Sequence, residues 1–329
     1  MMRPAQTSLL NHSRHKPWEP LLWIAAFAAP LLLPGQALLI NEIAIMALFA
    51  ISLDLVLGFT GIMSLGHAAF LGMGAFTAAL LAKHIDPDPL LGLAAAVATA
   101  SLLGLVCSFA ILRGSDLTRI MVTLGVALVL FELANNLTWL TGGSDGLQGV
   151  LMGPVLGRFE FDLSGRVAVY YSLTVLLCCF AVLRRLVHSP FGITLVAIRD
   201  NRLRAAAIGI STQARIVAIY TVAAGVAGAA GGLMAQTTGF ASLDVFAFER
   251  SADVLLLLVI GGVGWLYGGL VGAIVVTVLH HVLSDLTPQY WTFWIGLFLV
   301  VLMRVGRERA LRPWTWFGRQ EQTGAAHHE

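Results

Sequence analysis

Among the ionisable side chains inside the long apolar stretches of this 329-residue sequence are Glu42, Asp54, His67, Glu132, His280 and His281, with Asn135 and Asn136 beside Glu132. In a membrane, such groups bind or relay protons and small cations. A charge at the bilayer centre costs about 2.5 to 3.5 kcal/mol on insertion scales and is seldom retained idle. The plainer reading is that Glu42 and Asp54, toward the two ends of one span, reach an interface, and that His or Asn bonds a neighbouring helix. Glu132 is the hardest to explain that way.

Other chemistries find no constellation. A phosphate-binding loop of the form GxxxxGK[ST] uses backbone amides and a lysine to hold phosphates, and neither Lys16, after His15, nor Lys83, after Ala82, stands in such a context. The chain is therefore expected to be no enzyme and to bind no cofactor itself; any ATP it depends on is bound by another chain. Cys107, Cys178 and Cys179 sit within apolar runs, which excludes a disulfide framework and a CxxC metal pair. His327, His328 and Glu329 read as a polar tail rather than a metal site. No catalytic or metal-ligating set is expected.

Composition dictates the elements that must position these residues. Hydrophobic residues make up 58% of the chain and charged ones 12%, against about 25% charged in soluble domains. Apolar runs of about 18 to 20 residues, enough to cross about 30 Å of hydrocarbon, recur along the chain. The expected spans are residues 18–35, 37–57, 62–82, 89–112, 117–140, 167–187, 214–236, 250–264, 266–287 and 288–303. Backbone groups in lipid must be satisfied within the segment, so the spans are helices. The expected fold is an all-α polytopic bundle of about ten transmembrane helices. Residues 1–17 form an N-terminal tail, 18–303 the membrane domain and 304–329 a C-terminal tail. The N-terminal stretch has no small-residue cleavage site after a short apolar core, so no removed signal peptide is expected.

Orientation follows from the excess of Lys and Arg on the cytoplasmic side. With both termini inside, only Lys83, Arg158, Arg166 and Arg250 of the 20 Lys and Arg lie outside. The net charge of +2 gives no nucleic-acid-binding character. The long loop 141–166 is then external and the basic loop 187–215 internal. The internal loop has room for a short amphipathic helix, with Ile193, Val196, Ala197, Ala207 and Ile208 on its apolar side and Arg199, Arg202 and Arg204 available for contact.

Glycines carry a further signal. Gly225, Gly228, Gly231 and Gly232 read as close helix packing, because small residues let backbones approach where lipid gives no hydrophobic drive. Gly58 and Gly61 instead fall at the inner turn between the second and third spans. Gly261 and Gly264, with Gly262, Gly268 and Gly269, bridge the eighth and ninth on the same face. Glycine-interrupted helices of this kind line transport pathways.

Four stretches in this order resemble the LivM-type inner-membrane permeases of branched-chain amino acid ABC importers: "GFTGIMSLGHAAFLGMGAFTAALL", "NNLTWLTGGSDGL", "SPFGITLVAIRDNRLRAAAIGI" and "LLLLVIGGVGWLYGGLVGA". The resemblance covers about residues 40 to 305. It implies a permease in the bacterial inner membrane that works by alternating access beside a homologous second permease, two ABC ATPase subunits and a periplasmic solute-binding protein. The internal loop becomes the coupling segment that docks in a groove of the ATPase, with Arg199, Asp200, Asn201, Arg202, Ala205 and Ala206 at its centre and Gly209 ending its helix as a glycine cap. Where the family often carries an acid after Arg199-Asp200-Asn201, this chain has Arg202; either the groove has altered charge or that face is solvated. The second, third and fifth spans are the expected lining of the path, with Ser64, His67, Glu132 and Asn135 as its polar members. Related ABC permeases for urea or short amides share this architecture, and an ion-coupled carrier acting alone is the reading from another class.

Overall fold

The structure, a computed structural model, describes residues 18–112, 116–162 and 164–286 and scattered positions between 290 and 300. The tails 1–17 and 304–329 lie outside the described residues, and so does most of the expected span 288–303. Among the described residues the secondary structure is helical throughout, with two isolated β-bridges. The helices are α1 (Trp18–Leu32), α2 (Ala37–Thr60), α3 (Ala68–His84), α4 (Pro89–Leu112), α5 (Asp116–Asn136), α6 (Arg166–Val187), α7 (Pro190–Asp200), α8 (Arg202–Ala207), α9 (Thr212–Thr238), α10 (Phe248–Gly261) and α11 (Leu266–Leu286).

Six of these are long and apolar enough to cross a membrane: α2, α4, α5, α6, α9 and α11. The apolar helices α1 and α3 are shorter. The third expected span starts late, because residues 61–67 are not helical and α3 begins only at Ala68. In this irregular stretch Ile62, Ser64, Gly66 and His67 are buried in protein while Gly61 and Met63 are exposed; burial in protein is the condition under which irregular backbone is tolerated at membrane depth. Its Leu65 N–H donates to Thr123 Oγ1 at 3.3 Å, and a Cβ on Gly66 would lie 1.8 Å from the Thr123 carbonyl oxygen. The Ala68 N–H, which the start of a helix leaves without an intrahelical acceptor, donates to Ser251 Oγ at 3.0 Å.

The chain divides after Thr277 into two units. In the first, α9 packs on α4, α3 and α2, and α2 packs on α6 and α10. Most of the facing side chains are small, and the backbones touch: a Cβ on Gly231 would lie 1.8 Å from the Leu71 carbonyl oxygen, and one on Gly74 2.1 Å from that of Gly228. The packing reading of the α9 glycines is thus met in the structure. Of the second unit, the described part is mainly the C-terminal half of α11, where His281 lies one turn from Asp285.

Loops of the first unit gather at opposite ends of the helices. At one end Leu147 and Ala241 exchange backbone hydrogen bonds of 2.8 and 3.2 Å, Gly153 N–H donates to Pro87 O at 2.9 Å, and Lys83 reaches Gln148 O. Just beneath, Gln236 Nε2 donates to the carbonyl of Pro89 at 2.7 Å and the Tyr171 hydroxyl donates to Gln236 Oε1 at 3.0 Å, tying α9 to the start of α4 and α6 to α9. At the other end lie the close of α2, the α10–α11 turn and the segment 188–211.

Candidate functional site

The last turn of α2 is where the glycine breaks meet the basic segment. Asp54 is fully buried and lies four residues before Gly58, hence on the same helical face. Gly58 carries no side chain because none fits: a Cβ there would stand 2.1 Å from Asp54 Oδ1 and 2.5 Å from the Gly264 nitrogen. Gly264 arrives from the α10–α11 turn with φ +78°, a conformation that glycine adopts without strain. Its N–H donates to Asp54 Oδ1 at 2.7 Å. Behind it, Gly261 packs against α11 so tightly that a Cβ would lie 1.8 Å from the Gly268 carbonyl oxygen.

Arg199, in the last turn of α7, completes the assembly. Its Nη1 donates to the Gly58 carbonyl at 2.7 Å, satisfying one of the acceptors that a helix end leaves open. Gly61, at φ +72°, closes α2 by donating to the Leu57 carbonyl at 3.1 Å and lies directly under the Arg199 side chain. The other face of the guanidinium lies 3.4 Å from the exposed Asp200 carboxylate. Asp54 Oδ2 accepts no hydrogen bond among the described residues. The Arg199 side chain thus joins the surface segment to the helix end that carries the buried acid and to both helix breaks.

The segment carrying Arg199 is two helices rather than one. Pro190 starts α7 at a position where its missing N–H costs nothing. Asn201 ends it by turning extended, and its Oδ1 then accepts the Arg204 N–H at 2.8 Å as the N-cap of α8. Gly209, at φ +88°, donates to the Ala206 carbonyl just past the end of α8. The buried side also differs from the expected one. Leu195, Ile198 and Ala205 face inward, while Ile193 is exposed, as are Leu203 at 84% and Ile208 at 70%. The tip of the segment therefore presents Leu203, Ala206 and Ile208 beside Arg204. Arg215 lies 5.1 Å over the Phe191 ring and steadies the base.

The structure does not bring the four expected path residues together. His67 has no exposed surface; it stacks against Phe49 and meets Phe70 edge-on. The Ser52 hydroxyl gives its single proton to the Phe49 carbonyl at 2.6 Å, so it accepts from His67 Nε2 at 2.8 Å and fixes the Nε2–H tautomer. Ser64 is buried as well. Both residues are interior groups in this conformation, not walls of an open path. Glu132 lies elsewhere, exposed on α5, where Asn136 Nδ2 donates to its carboxylate at 2.7 Å; Asn135 is half-buried beside them.

Two buried acids were not placed by the sequence reading. Asp54 stood among its candidates with an interfacial position as the plainer reading, although its i, i+4 spacing to Gly58 placed it against the gap that the glycine leaves. Glu19, at the start of α1, is buried in a two-pronged ion pair with Arg184 in the last turn of α6. Nothing in the sequence links residues so far apart, and only the fold of α1 onto α6 does so.

Residues 37–303 match the protein family described as the permease component of branched-chain amino acid transport systems. The chain is 30% identical over 308 residues to the high-affinity branched-chain amino acid transport system permease protein LivM of Escherichia coli K12, covering 86% of this chain and 71% of that protein. The same-named protein of Salmonella typhimurium LT2 is 29% identical over 321 residues, covering 89% and 74%. No solved structure matches this chain. With a match that takes in both glycine breaks, Asp54 and Arg199, the chain belongs to the family of permease components of branched-chain amino acid transport systems.

Proposed function

We propose that this chain is the permease subunit of an ABC importer that carries branched-chain amino acids across the bacterial inner membrane. It works beside a homologous second permease, with two ATPases on the cytoplasmic side and a solute-binding protein outside. Its orientation is N-in and C-in with about ten spans, the last at residues 288–303. The charge asymmetry of the Lys and Arg supports this orientation, and so does the gathering of loops 84–88, 137–165 and 239–247 at one end, with 188–211 at the other.

The observation that carries the reading is the α7–α8 segment. Its base is buried through Leu195 and Ile198 and tied by Arg199 to α2, while its tip exposes apolar side chains next to arginines. That is the anatomy of a rigid lever with a docking end, and the ATPase is its partner. On the outer face Leu151, Leu156 and Phe159 stand exposed on the long loop and form the surface for the solute-binding protein. The path runs along the exposed Glu132 and Asn135 side of α5, between this chain and the second permease.

Uptake of labelled leucine and labelled urea in a strain lacking this gene tests the cargo. Leucine uptake falls to background and urea uptake stays unchanged. Loss of urea uptake with leucine uptake intact would make the chain an amide permease.

A further inference from the structure

We propose that Asp54 and Arg199 form the mechanical joint of this permease: Arg199 carries movement of the α7–α8 segment to the end of α2, and Asp54 carries it on to the α10–α11 turn. The inference rests on the permease reading above and adds positioning residues to it.

The argument begins with cost. An ionisable group without any exposed surface, inside a helix that crosses the membrane, is retained where it has work to do. Asp54 Oδ1 holds the Gly264 N–H, and the space beside it is closed by Gly58 and Gly264. What it does hold is backbone: the carboxyl group pins the α10–α11 turn to α2 at a point where both chains have given up their side chains to come together. Arg199 does the same from the other side, since its Nη1 is bonded to the carbonyl of Gly58 rather than to a solvent-facing acceptor.

Two contacts meet on the last turns of α2: the Arg199 guanidinium of α7 on the Gly58 carbonyl, and the Gly264 amide on the Asp54 carboxyl group one helical turn earlier. A displacement of α7 either drags the end of α2 with it or breaks the bond to Gly58. The two glycine breaks supply the freedom to respond, because Gly61 at φ +72° and Gly264 at φ +78° sit at the hinges on either side. Close packing makes the response discrete rather than graded, since backbones in van der Waals contact at Gly261 and Gly268 cannot slide by small amounts. Asp54 and Arg199 touch no cargo and act through the helices they hold.

The test uses the complete transporter in lipid vesicles, with the native chain, Asp54→Leu, which removes the acceptor for the Gly264 N–H, Arg199→Gln and the double variant. ATP hydrolysis and leucine taken up per ATP are measured together. Spin labels on Ile208→Cys and Val263→Cys report the distance between the segment tip and the α10–α11 turn in the same complexes. Each single variant should hydrolyse ATP within about twofold of the native rate while uptake per ATP falls at least fivefold. The spin-label distance distribution should broaden. The double variant should be no worse than Arg199→Gln, because both residues lie on one line of transmission. Arg199→Lys, which keeps the charge and reach, should restore part of the uptake per ATP. Uptake per ATP unchanged in Asp54→Leu, or defects that multiply in the double variant, would overturn the joint. If the native complex hydrolyses ATP without moving leucine, the cargo reading fails, and the spin labels decide the joint: a broader distribution in Asp54→Leu upholds it and an unchanged one refutes it.

Discussion

At the scale of single residues, the account turns on places where a side chain cannot exist. Gly58 and Gly125 are both glycines inside membrane-crossing helices, yet their surroundings are opposite. A Cβ on Gly58 would overlap Asp54 and the backbone of Gly264, whereas a Cβ on Gly125 meets nothing within 4 Å. Gly58→Ala should therefore destabilise the purified permease by about 1 to 3 kcal/mol, the usual cost of overpacking. Gly125→Ala should leave stability equal or higher, since alanine is the better helix former. Thermal unfolding in detergent checks the pair, and equal melting temperatures for Gly58→Ala and the native chain would show that the contact is slack. The glycine pattern was legible in the sequence because glycine is costly inside a helix. The acid beside it was not read correctly, since position along a span says how deep Asp54 lies but not which loop folds over it. His67 shows the same limit. Its identity suggested a path-lining group, but two aromatic rings and the Ser52 hydroxyl enclose it.

Among the elements, hydropathy located the helices well, because a lipid solvent forces long apolar runs to be helical. It misplaced the start of α3, since the residues from Gly61 to His67 are as apolar as a helix and differ only in how their amides are satisfied. Thr123, which satisfies the Leu65 amide, and Ser251, which satisfies that of Ala68 at the helix start, are distant in sequence and carry no local signal. The α7–α8 segment was recognised as one amphipathic element, and its division at Asn201 was missed; an asparagine followed by a helix-forming run is an N-cap signal that the arginine pattern obscured. The division decides which faces are available. In disulfide trapping with the co-expressed ATPase, Ala206→Cys and Ile208→Cys should cross-link, and Ala205→Cys, buried at 2% exposure, should not. An Ala205 cross-link as strong as that of Ile208 would mean that the segment docks through its other side.

For the whole molecule, the expected sidedness rests on a rule that acts on the entire chain at once: basic residues stay on the cytoplasmic side. The loop contacts sort the same segments into two groups, Leu147 with Ala241 at one end and Arg199 with Gly58 and Gly264 at the other. What the cargo meets was less legible. Selectivity in such a path needs only width and a few polar groups, and a permissive wall leaves little trace in one sequence. The central claim is that energy enters through partner ATPases and not through an ion bound by Glu132 or the histidines. The most direct measurement is labelled leucine uptake into vesicles that hold either this chain alone or the complete transporter. The account predicts uptake only with the complete transporter, enclosed ATP and the solute-binding protein outside, and none by this chain alone under a proton or sodium gradient. Gradient-driven uptake by the chain alone would contradict it.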